Sequence, residues 1–396
     1  MKDVRMNCIF DDTEIAFKNR SDKELKKIYS LFKKMSNQSL SNIGMSLLKA
    51  SIFLKLPVHK FAEKYLFFHF CGGVNLEDSS DIIENLNKFN VKAVLDYSVE
   101  SKKSEEAFEE IKKEIIKIID NSYKNKGKVP FAVYKISGVA NVELIRKIQK
   151  NESLSDEEKT LKEKLIARID EISSYAHKKQ VPLMVDAEKL DVQGFITDIT
   201  NEMMIKYNKD MPIIYDTIQF YRKDAMQLLK DSFKKVTDSG AFYGLKLVRG
   251  AYYEEEKLIA EKLGKESPIC KSKKDTDEMY NTGIQFCMKN LDKTGIFLAT
   301  HNEISVKLLM QLIDEYSLEL QDKRVWFSQL YGMSEHISFN IAKCGYNASK
   351  YIPYGPIKSV MPYLIRRAEE NKGIQEQTNR EFEVIKKEMR RRKLMK

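Results

Sequence analysis

The run Met361-Pro362-Tyr363-Leu364-Ile365-Arg366-Arg367-Ala368-Glu369-Glu370-Asn371 carries a phenol, two guanidiniums and a carboxylate at helical spacing. Tyr363, Arg366, Arg367 and Glu370 fall within about a 100° arc of one helix face. Guanidinium forks grip a carboxylate bidentately, a glutamate pairs with an ammonium, and a phenol ring supplies an apolar wall. Together these groups suit a small zwitterion. Taken alone, the run reads more readily as a solvated helix face with an i,i+4 Arg/Glu pair, and the rest of the chain is what overturns that reading.

Such a face needs a scaffold to close against. From Ala93 onward, short β-branched or aromatic runs alternate with long charged helical segments, which is the pattern of βα units. The runs are 93–100, 131–138, 182–189, 212–221, 243–250, 295–302, 324–331 and 348–355. Between them, apolar residues recur at three- and four-residue spacing, as in Phe108, Ile111, Ile115, Ile118 and Ile119. The second connection is lengthened by a charged helix over 154–179, with a capping signal at 153–156. Eight such units predict an α/β fold, a closed (β/α)8 TIM-type barrel. A doubly wound sheet holding a dinucleotide would open on GxGxxG, and none occurs. The division expected is an N-terminal helical arm over 1–80, a barrel over 81–373 and a basic C-terminal tail over 374–396.

A barrel places its functional side chains at the C-terminal ends of its strands. Those ends carry Asp96 and Glu100, Lys135, Asp186 and Glu188, Gln219, Lys246 and Arg249, His301 with Asn302, Gln329, and Tyr351. One such residue would pass for a capping group. Polar groups on nearly every strand end would not, because half-buried lysines and carboxylates persist only when paired. Lys135 and Asp186, on consecutive strands, are placed to pair. His301 is expected to donate a hydrogen bond and not to move protons. Gly250 would let a flat ligand or a phosphate approach the backbone. Lys271, Lys273 and Lys274, in the loop over 268–276, could also touch phosphate.

Composition narrows the class. The 396 residues are 42% hydrophobic, ample for a large core. The formal charge is +10, and the stretch 386–396 holds much of that excess, reading as a solvated tail. No aromatic-studded basic stripe or zinc-finger spacing supports a nucleic-acid partner. The five cysteines, Cys8, Cys71, Cys270, Cys287 and Cys344, are scattered and odd in number. They are expected to be reduced thiols, with no disulfide frame and no metal site. The segment 46–76 is the most apolar, with lysines spaced as in an amphipathic helix pair, and peripheral membrane contact is its secondary reading. The first residues show no clear transit peptide or secretory signal.

In order along the chain stand Leu95-Asp96-Tyr97-Ser98-Val99-Glu100, Val185-Asp186-Ala187-Glu188, Thr217-Ile218-Gln219, Lys246 to Tyr252, and Thr300-His301-Asn302. There follow Gln329-Leu330-Tyr331-Gly332-Met333, Tyr351-Ile352-Pro353-Tyr354-Gly355, and Tyr363 to Asn371. With these motifs the chain resembles the flavin-dependent proline dehydrogenase family, in its stand-alone eukaryotic form, over about residues 80–373. The resemblance implies oxidation of L-proline to Δ1-pyrroline-5-carboxylate with FAD as cofactor and a quinone as electron acceptor. It also implies a mitochondrial, inner-membrane-associated protein. By motif, Arg366 and Arg367 would bind the proline carboxylate with Lys135, Glu370 would face the ring nitrogen, and Tyr252, Leu330, Tyr351 and Tyr363 would wall the ring. Asp186, Gln219, Lys246, Arg249, Gly250, Ala251, Thr276, His301, Asn302 and Gln329 would hold FAD.

Ile218, where the family often has an aromatic, and Lys271-Ser272 depart from its pattern. Tyr351 stands where hydroxyproline-oxidising relatives resemble a smaller residue, so it favours proline. Alternatives are a dehydrogenase of hydroxyproline or another cyclic amino acid, and a Schiff-base enzyme using Lys135. A basic interaction protein that kept the barrel scaffold is the reading of another class.

Overall fold

The computed structural model describes residues 8, 10–36, 67, 69–99, 104–373 and 375–395. The N-terminal part contributes α1 (Thr13–Ala16), α2 (Asp22–Ser36) and α3 (Ser80–Asn87). The alternation then begins with β1 (Val91–Tyr97), α4 (Glu105–Lys124) and β2 (Phe131–Tyr134), followed by α5 (Val142–Gln149), α6 (Asp156–Lys179), β3 (Leu183–Val185) and α7 (Leu190–Tyr207). Next come β4 (Ile214–Gln219), α8 (Ala225–Asp238), β5 (Tyr243–Val248), α9 (Tyr253–Lys262), α10 (Lys273–Lys289), β6 (Thr294–Ala299) and α11 (Glu303–Glu315). The chain ends on β7 (Val325–Leu330), α12 (Glu335–Lys343), β8 (Ala348–Tyr354), α13 (Ile357–Gly373) and α14 (Gln375–Arg391). The eight strands, β1 to β8 in sequence order, form the closed barrel that their spacing predicts. The chain clusters into two compact units, Met1–Ala93 with Ser328–Lys396, and Val94–Phe327.

In Val94–Phe327, local chemistry explains the elements. Ser104 accepts from the Ala107 amide to start α4, whose residues Phe108, Ile111, Ile115, Ile118 and Ile119 are all buried, as their spacing requires. Helix α6 starts at a capping box made by Ser155 and Glu158, two residues beyond the first serine of its signal. Inside the barrel, the Phe131 ring meets Tyr215, Phe297 and Trp326 edge-on, with centroids 5.5, 4.9 and 5.4 Å away. A Cβ on Gly244 or Gly295 would fall 2.7 and 2.4 Å from the Tyr215 side chain, so these two strand glycines make room for a ring.

The other unit corrects two expectations. Part of the basic stretch near the C-terminus is helix α14, not a solvated tail. Val384, Ile385 and Met389 pack with Leu25, Ile28 and Phe32 of α2, and the Tyr29 and Phe382 rings stack at 5.5 Å. The buried Glu388 accepts from Arg391 and Arg392, and Arg392 also reaches Asp22 and two carbonyls, those of Phe17 and Arg20. Charge alone hid this docking, because the apolar stripe under it is short. Cys8 and Cys344 form a disulfide with Cα atoms 6.0 Å apart, against the expectation of reduced thiols. A sequence separation of 336 leaves no local sign of that pairing. Cys71, Cys270 and Cys287 are buried and take no part in this disulfide. The apolar segment 46–76 and Glu100 lie largely or wholly outside the described residues. Among the described residues, no helix is long and apolar enough to cross a membrane.

Asp216 of β4 is a fully buried carboxylate, and among the described residues neither of its oxygens has a well-formed hydrogen bond. Burial pushes its pKa up to about 7, against the smaller opposing pull of the Thr217 amide and Thr197 hydroxyl. The unfolded group titrates near 3.8. Between these values the folded state holds a proton that the unfolded chain has lost, so Asp216 subtracts stability progressively as pH rises from about 4 to about 7. Asp216→Asn, which cannot ionise, is expected to raise Tm by roughly 3–8 °C at pH 8 and by less at pH 5, read by calorimetry. An equal change at both pH values would mean that the carboxyl does not titrate in this window.

Candidate active site

The strand registers build a single row of side chains. Tyr134 pairs with Val185, Met184 with Tyr215, and Thr217 with Lys246, so Lys135, Asp186, Thr217 and Lys246 stand level on four successive strands. Thr217 between them is small, and its hydroxyl turns to the Val185 carbonyl at 2.7 Å. That leaves Lys246 free to cross β4, and its Nζ lies 2.6 Å from Asp186 Oδ1. Lys135 Nζ lies 3.3 Å from Asp186 Oδ2 and 3.3 Å from Asp96 Oδ2. The Ser98 hydroxyl donates to the same Asp96 oxygen. All four charged side chains are at most 13% exposed. Two ammoniums and two carboxylates therefore neutralise one another where water is scarce. The expected Lys135–Asp186 pair is present, and Lys246 joins it.

Beside this row, the Glu188 carboxylate accepts the Ser137 amide at 2.9 Å, and Gln219 Nε2 donates to the Glu188 carbonyl at 3.0 Å. Among the described residues, Gln219 Oε1 is buried without a hydrogen-bond partner. A third cluster surrounds Arg249. Its Nε reaches Asp277 at 2.6 Å, and its two terminal nitrogens reach the Thr300 and Ser305 hydroxyls at 2.6 and 2.9 Å. The guanidinium lies 4.2 Å over the Tyr280 ring. Asn302 caps α11 through its side-chain oxygen and approaches Asp277 through its nitrogen. Lys273 also pairs with Asp277, and these cations hold that carboxyl below its ordinary range although burial opposes them. Thr276, next to Asp277, is buried, and so is Tyr252. His301 and Ala251 are half-buried.

Strand-end reasoning missed Asp277, because it sits on α10. Its i,i+4 spacing from Lys273 was the available signal. Gly250 has φ +125°, and a Cβ there would fall 1.6 Å from the Tyr221 ring. Ring packing and backbone angle thus already require glycine at this position, without a ligand.

In the other unit, Gln329 is buried and accepts the Ser338 hydroxyl at 2.7 Å. Tyr363 lies in an apolar cluster with Phe67, Phe70, Met333, Val360 and Leu364, against which Leu330 also packs. Tyr351 is buried, and Arg366 is half-buried. The side chains of Arg367 and Glu370 lie outside the described residues, so the four-residue helix face is described only in part.

The residues of Val94–Phe327 fit FAD in chemistry. Gln219 Oε1 offers a buried acceptor that still lacks a donor. The Arg249–Lys273–Asp277 cluster holds two cations on one carboxylate, an excess that suits phosphate. Asp186, Gln219, Lys246, Arg249, Thr276, His301 and Asn302 are the residues of this unit that could hold such a cofactor. Asp186 is the charge on which the lysines depend, so Asp186→Ala is expected to cost about 3–5 kcal/mol in urea unfolding. Adding Lys246→Met should recover part of that loss, and strict additivity of the two changes would show that the pair is not coupled.

The family model for proline dehydrogenase matches residues 80–380. A mitochondrial proline dehydrogenase 1 from Dictyostelium discoideum is 32% identical, covering 96% of this chain and 74% of that protein. The carbapenem antibiotics biosynthesis protein CarD of Pectobacterium carotovorum is also 32% identical, over 81% of this chain and 83% of its own. Among solved structures, proline utilization A of Bdellovibrio bacteriovorus, inactivated by N-propargylglycine, superposes with a TM-score of 0.71 at 19% identity. It covers 90% of this chain, which spans 38% of that much longer protein, and at this identity it supports the barrel fold alone. A family match over most of the barrel, with a relative aligned along nearly the whole chain, shows that this chain belongs to the proline dehydrogenase family.

Proposed function

We propose that this chain oxidises L-proline to Δ1-pyrroline-5-carboxylate with bound FAD. The observation that carries the reading is the neutral Lys135–Asp96–Asp186–Lys246 network at the strand ends, in a chain that the family model matches from 80 to 380. FAD would supply the hydride acceptor for the ring carbon beside nitrogen and pass the electrons on to a quinone. The chain's task is to bind, orient and exclude water. Arg366 and Arg367 bind the proline carboxylate with Lys135, and Glu370 faces the ring nitrogen. Tyr252, Leu330, Tyr351 and Tyr363 wall the ring. Asp186, Gln219, Lys246, Arg249, Gly250, Ala251, Thr276, His301, Asn302 and Gln329 hold the cofactor. A mitochondrial setting on the quinone-bearing inner membrane, by peripheral contact, belongs to the same reading. The mitochondrial relative supports its first half.

The Schiff-base reading of Lys135 fares worse. A lysine nucleophile needs its nitrogen open to a carbonyl substrate, whereas Lys135 Nζ is engaged by Asp96 and Asp186, each 3.3 Å away.

L-proline added without oxygen is expected to bleach the flavin band of the purified protein, and a colourless or unresponsive protein would overturn the assignment. Arg367→Met, with parental flavin content, should lose about two to four orders of magnitude in kcat/KM through the unpaired substrate carboxylate. In Tyr351→Ser, the ratio of kcat/KM for hydroxyproline to that for proline should rise by about tenfold or more. An unchanged ratio would remove Tyr351 from the specificity wall.

A further inference from the structure

The loop between β7 and α12 holds an unusual backbone. Gly332 has φ +80° and Ser334 has φ +50°, so left-handed residues flank Met333. A Cβ at Gly332 would fall 2.4 Å from the His69 carbonyl, which makes glycine obligatory there. Serine gains nothing from the left-handed region by itself, and something must hold it there.

Two buried charges do so. Lys350, fully buried on β8, donates to the Met333 carbonyl and lies 3.7 Å from Glu335, the first residue of α12. Glu381, 3% exposed on α14, accepts both the Ser334 amide and, at 2.8 Å, the Ser334 hydroxyl through one oxygen. Arg20 completes the set, 3.6 Å from Glu335 with its guanidinium 5.6 Å over the Tyr331 ring. Two cations and two carboxylates thus surround a four-residue loop. Glu381 stands one residue past the end of the family match, and Arg20 lies well before its start.

This loop also governs the side chains assigned above to the proline ring and the cofactor. Leu330 immediately precedes it, and the Tyr331 amide donates to the Tyr351 carbonyl at 2.9 Å. Met333 packs in the same apolar cluster as Tyr363. The Ser338 hydroxyl, one turn into α12, fixes Gln329 and also meets the Ser334 carbonyl. Successive strand residues point to opposite faces, so Lys350 and Tyr351 brace one stretch of β8 from its two sides.

We propose that Glu381 and Lys350 are positioning residues, clamping the Tyr331–Ser334 loop so that Leu330, Tyr351 and Tyr363 are held in place to bind substrate. The C-terminal helix is then a working part of the catalytic unit. This inference rests on the proline dehydrogenase reading given above.

The test uses the full-length, flavin-loaded chain with Glu381→Ala, Glu381→Gln and Ser334→Ala. Glu381→Ala is expected to raise KM for L-proline by about tenfold, with flavin content kept and kcat changed less. Glu381→Gln, which retains an acceptor for the Ser334 amide and hydroxyl, should return KM to within about threefold of the parent. Ser334→Ala removes only one donor and should fold even if Glu381→Ala does not, with a KM increase of about two- to fivefold. Hydrogen exchange at the Ser334 amide, faster in Glu381→Ala or, failing that variant, in Ser334→Ala, reads the clamp without reference to turnover. Parental KM in the folded variants, a fall in kcat at constant KM, or failure of glutamine to rescue would overturn the proposal. A parent chain inert toward L-proline would overturn the assigned reaction and the substrate role with it, while exchange at Ser334 still decides whether the clamp exists.

Discussion

Asp186 is shared by two ammonium groups that the barrel has taken out of water, and much of the candidate site is arranged around that sharing. An unpaired lysine at this depth would cost more than the fold could readily bear. The barrel meets the cost through register. Because Lys135, Asp186, Thr217 and Lys246 occupy one row, a carboxylate on β3 can serve the strand beside it and, over a threonine, the strand beyond the next. Asp96 then supplies the second negative charge from β1. The arrangement sits at the strand ends, with Lys135 and Asp186 one residue past theirs. It follows from parallel pairing and from side chains of the right length.

Pairing of cations with carboxylates recurs in the other unit. Lys350 and Arg20 face Glu335 and Glu381, and Arg391 and Arg392 face Glu388, Asp22 and Glu14. The cluster around Asp277 differs, because Arg249 and Lys273 share one carboxylate and leave a positive remainder beside half-buried donors. A ligand carrying phosphate would meet attraction there and near-balance at the Lys–Asp row. The two regions therefore differ in the charge they would present to the cofactor proposed above.

What could be read from the sequence and what could not divide along a physical line. The eight strands were legible because each is a short β-branched or aromatic run set between helices with a clear apolar stripe. The Lys135–Asp186 pair was legible because strand ends converge in any such barrel. Features that depend on which distant surfaces meet left little local trace. Cys8 and Cys344 are brought together only by the completed fold, and α14 looks solvated until α2 supplies Leu25, Ile28 and Phe32. Asp277 serves Arg249 from a helix, outside the strand-end rule. Asp216 looks like an ordinary polar alternation in a strand, yet it is buried without a strong partner.

Lys350 shows why a one-dimensional pattern can name a proposed wall residue and miss the buried charge beside it. Tyr351 draws notice as an aromatic at a strand end, while the lysine before it reads as an outward, solvated charge. In the structure that lysine has no exposure at all, and its ammonium is spent on a backbone carbonyl and a glutamate. Burial holds its pKa below the ordinary lysine range, and the neighbouring Glu335 and Glu381 carboxylates oppose that shift. The left-handed turn at Ser334, the start of α12 and the docking of α14 are thus conditions on one another. A side chain lining a site can be chosen for its chemistry by a motif a few residues long, but its angle is set by charges drawn from both ends of the chain.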